Sequence, residues 1–388
     1  MTRSAMSRRT LVTRGGAAVA GLSVLRLAGP ARAFQSGPGG EVIPWLDQPE
    51  PNPIPDVLVR QLDWEQLDDW LTPPDQFFVV QHYGQPDLDE ADWRLAVGGL
   101  VDTPMTLTLA DLQARAREEV TFTLECSGNS AFPFNPGLVG NATWTGAPLA
   151  PLLEEAGVLD DGIEVVFWGA DAGEQTWRDE ITVTERFARS LSLADARETG
   201  ALIAYEMNGA PLPPEHGSPA RLIVPGWYGV ANVKWLSRIE VRDARYQGHF
   251  MARDYVTIRE EEHDGEAVWT FTSVGRARLK SAPAKVLTSG DAYRILGAAW
   301  GAPIAGVEVR IDDGPWEAAT LTEGQGEAFA WTFWTLDWAT PDPGEHTVTS
   351  RATAVDGEVQ PAPDDPFLAA KRTLWESNGH ITRRVRIA

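Results

Sequence analysis

Cysteine is nearly absent: the 388 residues contain one, Cys126. No internal disulfide can form, and the cysteine sets required for covalent haem, an iron–sulfur cluster or a tetracysteine zinc site are missing. Neither Gly-x-x-x-x-Gly-Lys-Ser/Thr nor a strand-linked Gly-x-Gly-x-x-Gly occurs, so nucleotide binding by those routes has no support. Basic residues are also scarce, with Lys+Arg 33 against Asp+Glu 55 and a formal net charge of −22. A body this negative repels phosphate backbones and anionic lipid heads, which disfavours nucleic acid and membrane surfaces as partners. Small molecules or a basic protein fit better. What is present is 43% hydrophobic residues, in a chain long enough for about two or three domains with a core that needs no staples.

The first 33 residues contain no acidic side chain but carry six arginines: Arg3, Arg8, Arg9, Arg14, Arg26 and Arg32. Ser7-Arg8-Arg9-Thr10-Leu11-Val12, the apolar stretch from Gly15 to Gly29 and the small-x-small site Ala31-Arg32-Ala33 read, in that order, as a twin-arginine export signal. The apolar stretch is under the ~18 residues needed to span a bilayer and is broken by Arg26, so no membrane span is expected in the mature chain. Its removal leaves 27 basic against 55 acidic residues, a net charge of −28, on a protein expected to be periplasmic or otherwise extracytoplasmic. Twin-arginine export carries proteins already folded, often around a cofactor, which points toward a redox enzyme.

Residues 34 to 60 are rich in Pro and Gly and read as an extended N-terminal segment. Over 61 to 265 short β runs such as Phe77-Phe78-Val79-Val80, Val120 to Leu124 and Glu164 to Trp168 alternate with helix-like stretches at Leu109 to Arg117 and Pro148 to Gly157. The expected class is α+β, without regular βαβ alternation. Over 280 to 388 only strands and turns are predicted, with the spacing of a β-sandwich of about a hundred residues. Tryptophans such as Trp331, Trp334 and Trp338 look exposed there and suggest a homodimer surface.

The informative segment is Thr121-Phe122-Thr123-Leu124-Glu125-Cys126-Ser127-Gly128-Asn129, in which a strand delivers the lone Cys into a polar, Gly-containing loop. Such a setting presents a thiolate rather than packing a small hydrophobe. Further along come His216-Gly217, Arg221, Pro225-Gly226 and Val233-Lys234-Trp235. Cations gathered in turn-rich sequence of an acidic protein make a local positive site whose guanidinium, ammonium and imidazole donors suit a phosphate group. Two other readings stay open on these residues alone: a Cys–His hydrolase using Cys126 and His216, and a cofactor-free exported binding protein.

At these positions the chain resembles the sulfite oxidase family of mononuclear molybdenum enzymes, over nearly the whole mature length. The resemblance implies a mixed α/β molybdopterin-binding domain followed by an immunoglobulin-like dimerisation domain, one Mo-molybdopterin per chain, and Cys126 as the thiolate ligand to molybdenum. By matching position it implies cofactor contacts from Phe78, His82, Asp171, His216, Arg221 and Lys234, and an active-site tyrosine at Tyr255. Oxygen-atom transfer is the chemistry implied, on sulfite or another oxyanion, or in reverse on an S-oxide or N-oxide. Residues 34 to 60 have no room for the cytochrome domain of animal members and no His, so electrons are expected to pass to an external acceptor such as a cytochrome.

Two departures bear on substrate. Sulfite oxidases carry an arginine two positions before the strand-end His, where this chain has Val80 followed by Gln81. A second arginine usually lies a few residues after the ligand Cys, where this chain reads Asn129-Ser130-Ala131-Phe132-Pro133. Arg253, close to Tyr255, is the nearest candidate to replace one of those charges.

Overall fold

A computed structural model describes residues 40–48, 58–130 and 136–388. The twin-arginine leader and residues Ala131 to Asn135 after the cysteine lie outside the described residues. The architecture is mostly β. The longest helix described, Leu149–Ala156, has 8 residues, so the α+β expectation gives way to a predominantly β chain with short helical connections.

Helix Leu149–Ala156 buries Leu149, Leu152, Leu153 and Ala156, the i, i+3, i+4, i+7 stripe of one helical face, and stops at Gly157 in the left-handed conformation (φ 68°). The second expected helix is shorter than its pattern suggested. It begins at a capping box between Thr108 and Asp111 and spans Leu109–Gln113. It ends there because Glu118 already opens the strand Glu118–Glu125.

Two five-stranded sheets build the region around Cys126. In the first, Glu118–Glu125 pairs with Val139–Pro148, which pairs with Leu202–Met207, and Arg221–Ile223 closes on that last strand. In the second, Leu236–Arg242 lies between Leu95–Gly99, to which it is parallel, and the long strand Glu164–Trp177, which continues into Ile181–Ser192. Leu95, Val97, Phe167 and Ile239 of the second sheet share one core with Leu152, Ile203 and Leu222. Leu236–Arg242 alternates buried and less buried positions, as a strand with one face on this core should, whereas Val139–Pro148 of the first sheet is buried along nearly its whole length.

The C-terminal part has two further sheets. Lys280–Ser289, Ala292–Trp300 and Thr332–Trp338 lie in one; Ile304–Ile311, Gly344–Ala354 and Ile381–Ile387 lie in the other. Val286, Ile295, Val309, Val348 and Val385 fill the core between them. The N-terminal strand Glu41–Ile43 joins this unit by pairing with Lys280–Ser289, whereas Leu58–Arg60 pairs with Val79–Gln81.

The exposed-tryptophan expectation is corrected here. Trp331 and Trp334 are fully buried and Trp338 nearly so. Strand Thr332–Trp338 is covered on both faces: Trp334 and Trp338 point into the sandwich, while Trp331 and Phe333 pack with Trp300 and with Trp64 from the other part of the chain. Their indole N–H groups are used as well. Trp331 donates to Trp70 O at 2.9 Å, and Trp334 to Ser281 Oγ at 3.0 Å.

Candidate active site

Cys126 follows directly on strand Glu118–Glu125, and the loop beyond it is fixed by its own polar groups. Cys126 N donates to Leu138 O at 2.9 Å, and Asn129 N closes a turn onto Cys126 O at 2.9 Å. Asn129 Nδ2 donates to Glu125 Oε1 at 2.9 Å, while Asn129 Oδ1 accepts from Leu138 N at 2.8 Å. Glu125 is fully buried, and Lys280 Nζ reaches it from the C-terminal part at 2.5 Å. The thiol faces the pocket only in part, and burial pushes it up to about 11. A metal bound here must therefore displace the thiol proton.

The cation group forms one wall. Pro214–His216 is a single 3-10 turn ending at Gly217 with φ 106°. A Cβ at Gly217 would sit 3.0 Å from the Lys234 Cβ and 3.2 Å from that of Arg221, so glycine is what lets the turn close on them. Arg221 donates from Nη1 to His216 O and from Nη2 to Asn232 O, both at 2.9 Å, leaving Nε without a partner. His216 Nε2 lies 2.8 Å from Pro74 O, and Lys234 Nζ donates to Glu215 O at 3.0 Å. Burial lowers all three, His216 to about 4, Arg221 to about 9 and Lys234 to about 7, with the charge of Arg221 adding to the effect on Lys234. The charges of Asp171 and Glu215 offset those of Lys234 only in part, and no carboxylate among the described residues hydrogen-bonds the group, which leaves a site suited to an anion.

Asp171 occupies an irregularity of strand Glu164–Trp177, between Trp168 and Ala172. Its Oδ1 is buried without a partner, and burial raises the carboxyl to about 6. On the opposite side, His82 leaves strand Val79–Gln81 and stacks on Phe250 at 4.8 Å. Its Nε2 is 2.7 Å from Tyr255 Oη. Tyr255 takes a left-handed backbone (φ 58°), costly for an aromatic residue, and is held by stacking on Trp375 at 4.4 Å. Burial, followed by the charge of Lys234, lowers His82 to about 4, and burial keeps Tyr255 protonated.

Cys126, Phe78, His82, Asp171, His216, Arg221, Lys234 and Tyr255 thus line one cavity with about 670 Å³ between atoms, part of it open to solvent. Val80 lines it too. Arg253 does not: it is exposed, with its guanidinium 4.1 Å from the ring centre of Trp177. The structure therefore does not bring that cation to the pocket, because a surface indole already takes it. Residues not singled out from the sequence include Gln81, whose Nε2 has no partner, Asn232, Gly229 and Phe187. Gly229 had a signal in the turn-rich run after Pro225, and a Cβ there would lie 3.2 Å from Glu125 O. Trp375 had none.

Among the described residues no three His, Cys, Asp or Glu side chains converge as a metal site. A metal here would find Cys126 as the one thiol among the lining residues and would need its other ligands from a cofactor. Gln81 Nε2, Asp171 Oδ1 and Arg221 Nε, without partners among the described residues, beside the Arg221 and Lys234 cations and the His216 imidazole, fit a polar heterocycle that carries a phosphate.

Comparison with known proteins decides which cofactor family this is. Residues 82–250 match the oxidoreductase molybdopterin binding domain. Chicken sulfite oxidase is 31% identical over 339 residues, 79% of this chain and 72% of that protein. The chain belongs to the sulfite oxidase family. Human mitochondrial sulfite oxidase is 32% identical over 327 residues, 76% of this chain, and the chain spans 58% of that relative's length. The crystal structure of the sulfane dehydrogenase SoxCD from Paracoccus pantotrophus superposes with a TM-score of 0.73 at 27% identity, covering 94% of this chain and 96% of that one. As in the rest of the sulfite oxidase family, the cofactor implied is Mo-molybdopterin, and the pocket's donors fit it.

Proposed function

We propose that this protein oxidises a small sulfur compound at a molybdenum centre and passes the electrons to a separate acceptor, as a sulfite oxidase-like dehydrogenase. The observation that carries this reading is the convergence of Cys126 with the Arg221, His216 and Lys234 wall and the Tyr255–His82 pair on one cavity. When bound, the molybdopterin centre supplies two-electron redox chemistry and oxygen-atom transfer.

The chain's residues do the rest. Cys126 supplies one thiolate, a soft ligand suited to this metal. Arg221, His216 and Lys234 place donors toward the cofactor's anionic end. Tyr255 keeps its proton and His82 stays neutral, so their hydrogen bond orients the phenol at the pocket without adding charge. Trp375, stacked on Tyr255, and Phe250, stacked on His82, hold the two rings in place.

The substrate side is poor in cations. Among the described pocket residues Arg221 is the one guanidinium, and both its Nη atoms are engaged by main-chain carbonyls. Val80 occupies the place where sulfite oxidases are expected to carry an arginine. This favours a weakly charged sulfur species, such as the sulfane sulfur named for the solved relative, over sulfite. The same apolar position suits a neutral S-oxide or N-oxide reduced at this site, which is the second reading. Metal analysis should give about one molybdenum per chain, and steady-state assays with ferricyanide should show sulfane-containing substrates turned over faster than sulfite. Efficient sulfite oxidation would reject the substrate reading, and protein free of molybdenum from a replete host would reject the enzyme reading.

Two further parts of this reading rest on sequence. Arg8-Arg9 and the leader that follows support export by the twin-arginine route to the periplasm, which cell fractionation checks. The C-terminal β unit, read as immunoglobulin-like, supports a homodimer, and light scattering at a monomer's mass would reject it.

A further inference from the structure

A second groove, with about 950 Å³ of space between atoms that opens to solvent, is lined by residues that follow Tyr255 and Trp375 in the chain, among them Thr257, Arg259 and Glu376. It is built where hairpin Val256–His263/Glu266–Ser273 meets the start of strand Lys280–Ser289 and the short helix Pro366–Ala369. Two guanidiniums share one aromatic ring there. The Arg259 Cζ lies 3.3 Å from the ring centre of Phe367, and the Arg278 Cζ lies 5.0 Å from it.

Among the described residues neither guanidinium has a hydrogen-bonded carboxylate. Arg259 is 5% exposed, yet among the described residues no acceptor hydrogen-bonds its guanidinium. Arg278 Nε is buried without a partner, and its Nη2 is 3.9 Å from Glu376 Oε2, too far for a hydrogen bond. Glu376 is the one buried carboxylate lining the groove, and it is already committed, accepting from Thr257 Oγ1 at 2.5 Å. Glu261 and Glu358 lie at the exposed rim, and Arg276 pairs outward with Asp195 at 3.1 Å. The interior therefore carries two cations against one occupied anion, inside a protein that is strongly acidic overall. Unpaired buried charge is costly, and guanidinium donors in a fixed fork match oxygen anions.

We infer that this groove binds a small tetrahedral oxyanion of the sulfate or phosphate type between Arg259 and Arg278. Burial and the nearby charge of Arg278 lower the pKa of Arg259, a strain that a bound anion relieves. The site is distinct from the catalytic pocket but adjacent to it: Glu376 N donates to Ser127 O at 2.8 Å, one residue beyond Cys126. The inference does not depend on the identity of the substrate.

The test is calorimetric titration of the purified holoenzyme with inorganic sulfate at constant ionic strength. One saturable site per chain is expected. Arg259→Met and Arg278→Met should each weaken binding by about tenfold or more, the scale of one lost charge-assisted contact. Arg94→Met, at an exposed arginine elsewhere, should leave it unchanged. If Arg259→Met fails to fold, Arg278→Met carries the test alone, because that side chain is more exposed. Binding that survives both variants assigns sulfate to another place, and no saturable binding removes the site; either outcome overturns the proposal. Acetate displacing sulfate at equal concentration would also overturn it, since the class would then be carboxylate.

Discussion

Lys280→Met tests whether the C-terminal part of the chain holds the cysteine loop in place. Lys280 and Glu125 are both fully buried and 2.5 Å apart. Glu125 immediately precedes Cys126, and its Oε1 also accepts from Asn129 Nδ2 at 2.9 Å, while Oε2 has no partner. Methionine nearly fills the lysine's volume, so the cavity cost is small and the main effect is a buried carboxylate with one amide donor left. Breaking a buried pair in this way typically costs about 3–5 kcal/mol. In a chain of this size that corresponds to roughly 5–10 °C in melting temperature. The double variant Glu125→Gln with Lys280→Met removes the orphaned charge but keeps an oxygen for Asn129, and should recover more than half of the loss. The assay is thermal unfolding followed by circular dichroism, with molybdenum content measured on the same samples. Lys280→Met should also lower molybdenum occupancy, because Asn129 and the turn onto Cys126 lose their anchor. A Lys280→Met protein that melts with the wild type, or a double variant no more stable than the single one, would show that the pair does not hold the loop.

Cys126→Ser should abolish turnover and strip molybdenum from the purified protein, since an alcohol is a poor match to this metal; full metal content with activity would end the ligand assignment. Val80→Arg places a guanidinium in the pocket and should raise sulfite kcat/KM by about 10–100-fold, the effect of one charge-assisted contact of ~1.5–3 kcal/mol, measured by ferricyanide reduction. Asp171 has its carboxyl raised from near 3.8 to about 6 by burial. The folded apo-protein thus holds a proton that the unfolded chain has released, and this contribution to stability is lost as pH rises from about 4 through about 6. Asp171→Asn should therefore match wild-type apo-protein below pH ~4 and exceed it by up to about 3 kcal/mol above pH ~6, read from urea unfolding at each pH. Equal stability across that range would show that Asp171 is not strained by burial.

Local pattern made most of the site legible. A strand running into Cys126, glycine-bearing turns around His216 and a cluster of cations are all short-range features, and resemblance then joined segments more than a hundred residues apart. What stayed hidden depends on long-range placement. Arg253 looked suitable by proximity to Tyr255, but nothing in sequence shows that Trp177 of a distant hairpin captures it. Trp331 and Trp334 were misread because alternation assumes one buried and one wet face, while this strand is covered on both. Trp375, some 120 residues after Tyr255, carries no motif, yet its ring stacks on Tyr255 and holds it at the pocket. Helix content was overread for a related reason: an amphipathic stretch such as Leu109 to Arg117 is cut short once its last residues are needed to enter a sheet.

The misses at Trp331 and Trp375 share a location, the contact between the Cys126 region and the C-terminal β unit. Lys280 neutralises Glu125, Trp331 N donates to Thr123 Oγ1 at 2.6 Å, Glu376 N caps Ser127 O and Trp375 covers Tyr255. Each of these groups comes from beyond residue 279, and each reaches the strand that ends at Cys126, its loop, or the pocket wall. The described residues that line the cavity all lie between 77 and 255, so the C-terminal unit braces it from outside. Stability of the sandwich and retention of the metal become coupled quantities, so a substitution confined to the sandwich core, such as one at Val309 or Val348, reaches the catalytic pocket through this seam rather than through the family's molybdopterin-binding segment itself.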